Sequence, residues 1–387
     1  MRGVHEREQT IAVIGGSGFY GRYLVDDLLA HTGARVVVVN RSGRRRPGWG
    51  DRVSVRAANM FDHAALRRAL DGVDIVAHAA GPFELLPLGP LALALELGLA
   101  YADISENRRW AATAEEMISR RRPAAPVFVG ASVTPALVTT LVRWVATRLD
   151  AVERVRTIAA PDTRRHRGAG MFRTMLYGAG RPYPQPRDGT TVTVHGWTEP
   201  EWYPFPDPIG RRLVHLVYGM AELDEVPRRF GARTVEFKAG SEMAWLNRLL
   251  GTAARVRRRV PTLALERLLV PVRAMSWIIG RFGIDAGAVV VDVEGRAAGH
   301  RHREQLAIIG DRDGGRIPIV VAGIHLERLI AGAAMPPGRT DPAAWITLPE
   351  LAERLAARDL RLVQRVNSGA WSPLRNGTRR HLAERDA

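Results

Sequence analysis

The amino-acid sequence predicts an α/β protein with a doubly wound parallel sheet, followed by a second α+β domain built on a mainly antiparallel sheet. Three observations support this prediction. Short β-type runs alternate with helical patterns between residues 11 and 129, which is the order of β-α-β units. The first run leads directly into a cluster of glycines, as in the first turn of a Rossmann fold. After Pro135 the segments become longer and alternate apolar with polar residues, which is typical of antiparallel strands.

The predicted strands of the first domain are short and rich in apolar and β-branched residues. They lie at residues 11–14, 35–39, 53–56, 74–78, 101–104 and 127–129. Helical periodicity separates them at residues 21–30, 62–70, 90–97 and 111–121. The Rossmann domain is expected to cover residues 9–135 and to be completed by a C-terminal segment at about residues 336–367.

Residues 136–335 are expected to form the α+β substrate domain. A predicted helix at residues 136–148 leads into antiparallel strands at residues 154–158, 190–195, 289–294 and 304–309. The stretch 197–208 is rich in proline and aromatic residues and is interpreted as an ordered loop, and residues 317–331 as a helix. Residues 368–387 are predicted to be a disordered tail.

Residues 241–283 form a basic, amphipathic helical segment. Its arginines lie opposite leucine and tryptophan residues, and Pro261 and Pro271 interrupt its apolar face. We interpret it as a cover over the sheet, and the alternative is a face that contacts a membrane surface or a partner. No uninterrupted apolar span is long enough to cross a bilayer.

The glycine cluster carries the first functional prediction. Gly16-x-Gly18-x-x-Gly21 fits the dinucleotide fingerprint: one glycine makes the turn, one lets the backbone reach a pyrophosphate, and one lets the helix pack on the strand. The helix that follows offers free N–H donors and a positive dipole end to phosphates. The predicted cofactor contacts here are Gly15, Gly16, Ser17, Gly18, Phe19, Tyr20 and Gly21.

The end of the second predicted strand distinguishes between two cofactors. An acidic residue there would bind the adenosine ribose of NAD, but this chain has Asn40, Arg41 and Ser42 instead. Guanidinium and hydroxyl groups bind a 2′-phosphate through charge-assisted hydrogen bonds, so the sequence favours NADP (as NADPH) over NAD. The alternative is a solvated basic loop in an arginine-rich protein.

The composition excludes several classes of chemistry. The absence of cysteine excludes disulfides, thiolate nucleophiles and cysteine-ligated metals, and is compatible with a cytoplasmic location. The net charge is +16, and Lys238 is the only lysine among 56 basic residues. The arginines are interspersed with 40 acidic residues and form no nucleic-acid motif, so no nucleic-acid partner is expected and anionic substrates are favoured. No metal site and no transmembrane segment are predicted.

The ends of the later strands contain polar residues, and ligands of such sheets bind at these carboxyl ends. Ala80, Gly81 and Pro82 are expected to form the wall near the nicotinamide ribose. Asp103 and Thr134 are candidate catalytic residues, although helix capping is an alternative for both. Ser105, Glu106 and Ser132 are further polar residues at these ends that could contact the ribose, nicotinamide or substrate.

Proton donors are also expected in the second domain. Tyr177 and His215 are the candidates, with His195 and Tyr218 as further possibilities, and a structural role is the alternative for each. A Tyr-x-x-x-Lys pair is absent, because Thr234 stands four positions before Lys238. Replacement of Lys238 is therefore expected to leave activity largely intact.

Several stretches resemble the saccharopine dehydrogenase-like oxidoreductases, a family that includes trans-acting enoyl reductases. The matching stretches are residues 15–21, 80–83, 98–106, 130–135 and 168–174. The resemblance implies a Rossmann domain, an α+β substrate domain and a chain that returns to the first domain near its end. Members of this family reduce imines or enoyl groups, so the resemblance does not identify the substrate.

The sequence therefore predicts an NADP-dependent oxidoreductase that reduces a C=N bond or a conjugated C=C bond of a small or carrier-bound substrate. The alternative is a catalytically silent dinucleotide-binding sensor or scaffold protein. A homodimer and peripheral contact with a membrane are both left open by the sequence.

Overall fold

The computed structural model describes residues 9–164 and 168–374. The strands are β1 (Thr10–Ile14), β2 (Arg35–Asn40), β3 (Val53–Ala57), β4 (Ile75–His78), β5 (Ala100–Asp103), β6 (Pro126–Phe128), β7 (Ala151–Ala160), β8 (Pro182–Arg187), β9 (Thr190–His195), β10 (Glu201–Pro204), β11 (Arg211–Leu216), β12 (Thr234–Ala239), β13 (Gly287–Ala297), β14 (His300–Gly310), β15 (Gly338–Arg339), β16 (Leu360–Val366) and β17 (Ser372–Pro373). The helices are α1 (Phe19–His31), α2 (His63–Ala69), α3 (Gly89–Glu96), α4 (Arg108–Arg121), α5 (Val138–Ala146), α6 (Ala169–Gly178), α7 (Glu222–Phe230), α8 (Ala244–Arg259), α9 (Leu269–Ile279), α10 (Ile317–Ile330) and α11 (Leu348–Ala356).

The first sheet is parallel throughout and has the strand order β15-β6-β5-β4-β1-β2-β3. Its central strands are covered on both faces, and Val36, Val37, Val38 and Val39 are between 0% and 3% exposed, as expected of a parallel sheet. The strand order reverses between β1 and β4, so a crevice is expected at the carboxyl ends of these two strands. The prediction of a doubly wound sheet is confirmed.

The second sheet is mixed and mainly antiparallel, with the order β10-β11-β12-β7-β13-β14-β16-β17. Only the β12–β7 pairing is parallel among the pairings described in this sheet. Two sequence-based details were wrong. The strand predicted at residues 190–195 forms a separate hairpin with β8, and the loop predicted at residues 197–208 contains β10. Because β10 is an edge strand, the ladder tolerates Pro204 at its end.

The C-terminal segment contributes to both sheets. β15 pairs with β6 of the first sheet, whereas β16 pairs with β14 of the second. The proposed domain boundaries at residues 135 and 335 stay predictions. The predicted disordered tail needs a correction, because β17 pairs with β16 and the Arg365 guanidinium lies 4.7 Å from the ring centre of Trp371. Residues 375–387 of that tail lie outside the described residues.

A buried ion pair joins the first helix to the C-terminal part of the chain. Arg358, which follows α11 and is 2% exposed, donates hydrogen bonds of 2.8 and 3.1 Å to Asp27 of α1. It also donates one of 2.8 Å to Glu327 of α10. A Cβ atom at Gly323 of α10 would lie 2.2 Å from the Asp27 carboxylate, so only glycine lets the two helices approach so closely.

The basic helical segment predicted at residues 241–283 divides into α8 and α9. α8 packs on β11, and Asn247 donates a 3.0 Å hydrogen bond from its side chain to the Leu213 carbonyl. α9 packs Leu269 and Val272 towards α6 but exposes much of its remaining surface. The predicted cover therefore fits α8 and not the outer face of α9. No helix within residues 9–164 and 168–374 combines the length and apolar character that membrane crossing requires.

Candidate functional site

The glycine loop between β1 and α1 lies at the point where the strand order reverses. Gly15 has φ = 79° and donates a 2.9 Å hydrogen bond from its amide to the Val39 carbonyl of β2. A Cβ atom at Gly15 would lie 2.7 Å from that of Ala80, and one at Gly21 would lie 2.1 Å from the Gly15 carbonyl oxygen. The loop therefore needs glycine where it turns and where α1 packs on it.

The start of α1 leaves room for a phosphate group. Gly18 is the N-cap residue, and no side chain caps the helix there. Ser17 and Gly18 are exposed, and a Cβ atom at Gly18 would meet only the Gly15 carbonyl oxygen, at 3.0 Å. Backbone N–H donors at an uncapped helix start, together with the helix dipole, suit an anion. This loop fits the pyrophosphate of a dinucleotide.

The polar groups of the turn after β2 fall into two sets. Some hold the turn itself, and others are available to a ligand. Asn40 accepts hydrogen bonds from the amides of Ser42 (3.1 Å) and Gly43 (2.7 Å), and it donates one to the Arg44 carbonyl (3.1 Å). Its predicted direct contact with the cofactor therefore becomes a positioning role, because both side-chain polar atoms hold the turn. Arg45 likewise donates to the carbonyls of Val53, Trp49 and Gly50.

Arg41 and Arg44, by contrast, are exposed, and neither guanidinium pairs with another described residue. Ser42 is exposed beside them, although its hydroxyl lies 3.2 Å from the Asn40 side-chain oxygen. These three side chains are the polar groups of the turn that remain available to a ligand.

The start of α6 lies over the glycine loop. A Cβ atom at Gly168 would lie 3.0 Å from the Phe19 Cβ, and one at Gly170 would lie 3.6 Å from the Gly81 carbonyl oxygen. The second domain therefore approaches both α1 and the turn at Ala80, Gly81 and Pro82. We refer to the crevice expected between these elements, at the carboxyl edge of the first sheet, as the cleft.

Asp103 at the end of β5 is a fully buried hydrogen-bonding hub. One carboxylate oxygen accepts from the Ser105 hydroxyl (2.6 Å) and amide (3.0 Å) and from the Gly130 amide (2.9 Å). The other accepts from the Tyr101 hydroxyl (3.1 Å) and the Trp110 indole (3.0 Å). With five donors and no exposure, Asp103 fixes the strand ends. This geometry favours a positioning role, and the catalytic role stays a prediction.

His78 extends this network to β4. Its Nδ1 lies 3.0 Å from the Tyr101 hydroxyl, whose proton points to Asp103, so the imidazole must donate this hydrogen bond. Burial lowers the pKa of His78 to about 3, which keeps the ring neutral. The ends of three adjacent strands are thus joined by neutral and charge-assisted hydrogen bonds.

Thr134 is buried and faces the second domain. Its hydroxyl oxygen accepts a 3.0 Å hydrogen bond from the amide of Glu222, at the start of α7. The sequence offered capping of the helix after Pro135 as an alternative role for Thr134. In the structure its hydroxyl instead binds the first amide of α7. This contact joins the end of the first sheet to α7 and favours a positioning role for Thr134, whose catalytic role stays a prediction.

Glu106 is a partly buried carboxyl group that follows β5 at the carboxyl edge of the first sheet. It is mostly buried but keeps some exposure, and its Oε1 lies 2.8 Å from the Ser132 hydroxyl, which lies 2.8 Å from the Pro318 carbonyl oxygen. Burial raises the pKa of Glu106 to about 7, although hydrogen bonds from Ser132, Thr134 and Val133 oppose the shift. Burial and the charge of Glu106 also raise the pKa of Tyr20, which places Tyr20 near this carboxyl group.

Glu222 is a second buried carboxyl group, adjacent to the first. It is 0% exposed, and neither carboxyl oxygen has a hydrogen bond of good geometry within the described part of the chain. Burial raises the pKa of Glu222 to about 8, and the charge of Glu106 adds to the shift. The two carboxyl groups therefore resist being ionised together.

These raised pKa values predict that stability falls with increasing pH. The unfolded chain releases these protons near pH 4.5, whereas the folded protein retains them up to about pH 7 and 8. The free energy of unfolding should therefore decrease between these limits. Glu222→Gln should raise it by a few kcal/mol at pH 8.5 and flatten the dependence, measured by urea unfolding at a series of pH values. The exposed Glu116→Gln should leave the slope unchanged, and an unchanged slope in Glu222→Gln would refute the pKa shift.

The two second-domain candidates, Tyr177 and His215, lie in packed surroundings. Tyr177 packs on Tyr218, with 5.8 Å between ring centres, and the Arg181 guanidinium lies 4.1 Å from its ring centre. His215 is 1% exposed beneath α8, where a Cβ atom at Gly251 would lie 2.9 Å from its Nε2. Burial lowers the pKa of His215 to about 4. Both side chains pack against neighbouring residues here, and their roles as proton donors stay predictions.

Lys238 is also structural. Its ammonium group donates to the Glu201 carboxylate (2.9 Å) and to the Glu199 carbonyl (3.2 Å), and the residue is 6% exposed within the second sheet. That Lys238→Met spares activity remains a prediction. Within residues 9–164 and 168–374, no three histidine or acidic side chains are grouped as a metal ion would require.

Sequence reasoning missed Glu222 and did not select Glu106. Glu106 follows a buried strand, which is a usable signal, and the neighbouring Asn107 is the residue that caps α4. Glu222 gave no such signal, because an acidic residue in the first turn of a helix is ordinarily solvated.

Comparisons with known proteins agree with this architecture. Residues 11–85 match the model of the NAD dependent epimerase/dehydratase family. No curated protein sequence matches the chain. The solved structure of apo saccharopine dehydrogenase (L-Glu forming) from Saccharomyces cerevisiae is similar, with a TM-score of 0.62 and 12% identity over 93% of this chain and 100% of that one.

Two further structures are more distant. An engineered D-amino acid dehydrogenase bound to NADP+ has a TM-score of 0.45 and 14% identity over 91% of this chain and 99% of that one. The C. glutamicum DAP dehydrogenase in complex with DAP has a TM-score of 0.43 and 14% identity, with the same coverage of 91% and 99%. The resemblance described from the sequence is confirmed for the fold.

Proposed function

We propose that this chain, which has the fold of saccharopine dehydrogenase, is an NADP-dependent oxidoreductase that reduces a C=N bond or a conjugated C=C bond of a small molecule. One observation carries the proposal. An uncapped, glycine-lined helix start and a protonatable carboxyl group, Glu106, lie along the same edge of one parallel sheet. Reduction of such a bond requires a hydride donor and a proton donor in one cleft.

The residues that would hold the cofactor follow from the geometry of the loop. The backbone from Gly15 to Gly18 meets the pyrophosphate, and Arg41, Ser42 and Arg44 meet the 2′-phosphate. Ala80, Gly81 and Pro82 form the wall further along the cleft. A bound dinucleotide would supply the hydride.

Glu106 holds the proton. A pKa near 7 populates both the acid and its carboxylate at neutral pH, which is the range in which a general acid is most effective. Ser132 and the amides of Val133 and Thr134 orient the carboxyl group, and the partial exposure of Glu106 leaves it accessible from the cleft. Asp103 acts through this frame, because it fixes the Gly130 end of the Ser132 loop.

Dinucleotide preference tests the cofactor assignment. In Arg41→Asp the Kd for NADPH should rise by about tenfold to a hundredfold, because a charge-assisted hydrogen bond of about 1.5–3 kcal/mol becomes a repulsion. The Kd for NADH should change little, and both can be measured by fluorescence titration. Arg68→Asp, an exposed arginine of α2, is the matched control and should alter neither. Equal affinity of the unaltered protein for NADPH and NADH would contradict the assignment.

A further inference from the structure

The outer faces of α8 and α9 expose an unusual number of large apolar side chains. On α9, Val270, Trp277 and Ile278 are 77%, 61% and 67% exposed, and their spacing places them on one side of the helix. Beyond its end, Phe282 is 81% exposed. On α8 the exposed apolar side chains are Trp245, Leu249 and Val256. We refer to these seven residues as the apolar patch.

This patch is not the core-facing side of either helix. Leu250 and Ala254 of α8 and Leu269 and Val272 of α9 pack inward, into one small cluster around Leu176 of α6. The two helices therefore share an underlying core, and the patch lies on the side turned away from it.

The segment that carries the patch is rich in cations that lack counterions. Six exposed arginines of this region form no ion pair with any described acidic residue, and they are Arg255, Arg258, Arg259, Arg267, Arg273 and Arg281. The only acidic residue between Ala244 and Gly283 is Glu266, and its carboxylate binds Arg257 and Arg181. The region therefore has a strong local positive charge, whereas many arginines elsewhere are paired.

We propose that the outer face of α8 and α9 binds the surface of an anionic phospholipid bilayer. Apolar side chains that project singly from a helix need no preformed pocket in a bilayer, because acyl chains accommodate them. Arginines around them meet the lipid phosphates and raise the affinity for anionic membranes. The helices lie on the membrane rather than cross it, since Pro271 and Arg273 interrupt the apolar stretch of α9 and Arg281 follows its end.

Charge distinguishes this occupant from a second copy of the chain. A twofold interface would place the arginines of one copy against those of the other, and that repulsion would oppose association. The position of the patch also connects it to the cleft. α9 packs on α6, and the first residues of α6 lie over Phe19 and Gly81. The membrane surface would therefore lie next to the helix that covers the cleft. The proposal stands independently of the proposed function.

Co-sedimentation with vesicles tests the proposal on the full chain. We expect binding to vesicles of phosphatidylglycerol and phosphatidylcholine in equal parts, little binding to phosphatidylcholine alone, and weaker binding as salt is raised. Arg273→Gln and Arg281→Gln should each weaken binding about fivefold. Trp277→Ser and Phe282→Ser should each weaken it about tenfold.

Matched controls lie on other surfaces of the protein. Arg68→Gln and Arg301→Gln remove the same charge, and Phe61→Ser removes an aromatic ring that is 60% exposed. These variants should bind vesicles as the unaltered protein does, and all variants should keep its melting temperature within a few degrees. The proposal is overturned if vesicles are not bound, or if patch and control variants lose binding equally. It is also overturned if sedimentation velocity without lipid shows a dimer that Phe282→Ser dissociates.

Discussion

Replacement of Glu106 by glutamine is expected to lower kcat by about 10²–10⁴-fold, because the site loses the group that we propose as its proton donor. The affinity for NADPH should stay within about threefold, since Glu106 lies beyond the residues assigned to the phosphates. Glutamine keeps the size and hydrogen-bonding capacity of the side chain, so the contact with Ser132 is retained. A stopped-flow or steady-state assay of NADPH consumption measures the effect.

The pH profile separates a chemical role from a structural one. A general acid with a pKa of about 7 must be protonated to act, so the rate of the unaltered enzyme should fall above that pH. In Glu106→Gln this fall should disappear together with the rate. Glu116→Gln, an exposed position on α4, should preserve both the rate and the profile. A Glu106→Gln enzyme with unchanged kcat would show that the proton comes from another group.

Arg358→Ala is expected to lower the free energy of unfolding by about 3–5 kcal/mol, because it leaves the Asp27 carboxylate buried without its guanidinium. Asp27, on the side of α1 that faces α10, is 3% exposed. The same change removes the hydrogen bond from Arg358 to Glu327. Urea unfolding followed by circular dichroism measures this free energy. The double variant Asp27→Leu with Arg358→Met should recover part of the loss, because no buried charge then remains unpaired.

An exposed ion pair provides the matched control for this loss. Arg361 is 48% exposed and pairs with Asp311, so Arg361→Ala should cost no more than about 1 kcal/mol. Similar losses in Arg358→Ala and Arg361→Ala would mean that the buried pair does not join α1 to the C-terminal segment as described. A loss confined to Arg358→Ala would support that role.

The sequence was sufficient for the first sheet because its signals are local. The apolar run before Gly15 and the β-branched run from Val36 to Val39 are each buried on both faces. Short runs of this kind, alternating with helical patterns, indicate strands of a parallel sheet. The glycine pattern likewise reports a close approach within a single turn, as the 2.1 Å distance at Gly21 shows. The residues expected to form the cofactor loop could therefore be named before the fold was known.

The remaining features depend on contacts between distant segments. Asp103 and Thr134 look like free polar groups in sequence, but Gly130 and Glu222 occupy their hydrogen-bonding atoms once the chain folds. The raised pKa of Glu222 arises from burial beneath two domains, which no local pattern encodes. The surroundings of Tyr177 and His215 likewise arise from tertiary packing, against Tyr218 and beneath α8.

The most direct test of the account is transfer of a hydride from the cofactor to a polarised double bond. The protein is incubated with NADPH deuterated at the transferable C4 position and with a panel of cyclic imines, amine and 2-oxoacid mixtures, and enoyl thioesters. We expect one substrate class to be reduced with one equivalent of NADPH consumed and one deuterium found in the product by mass spectrometry. Tight binding of NADPH with no consumption and no labelled product across the panel would contradict the account and favour a dinucleotide sensor.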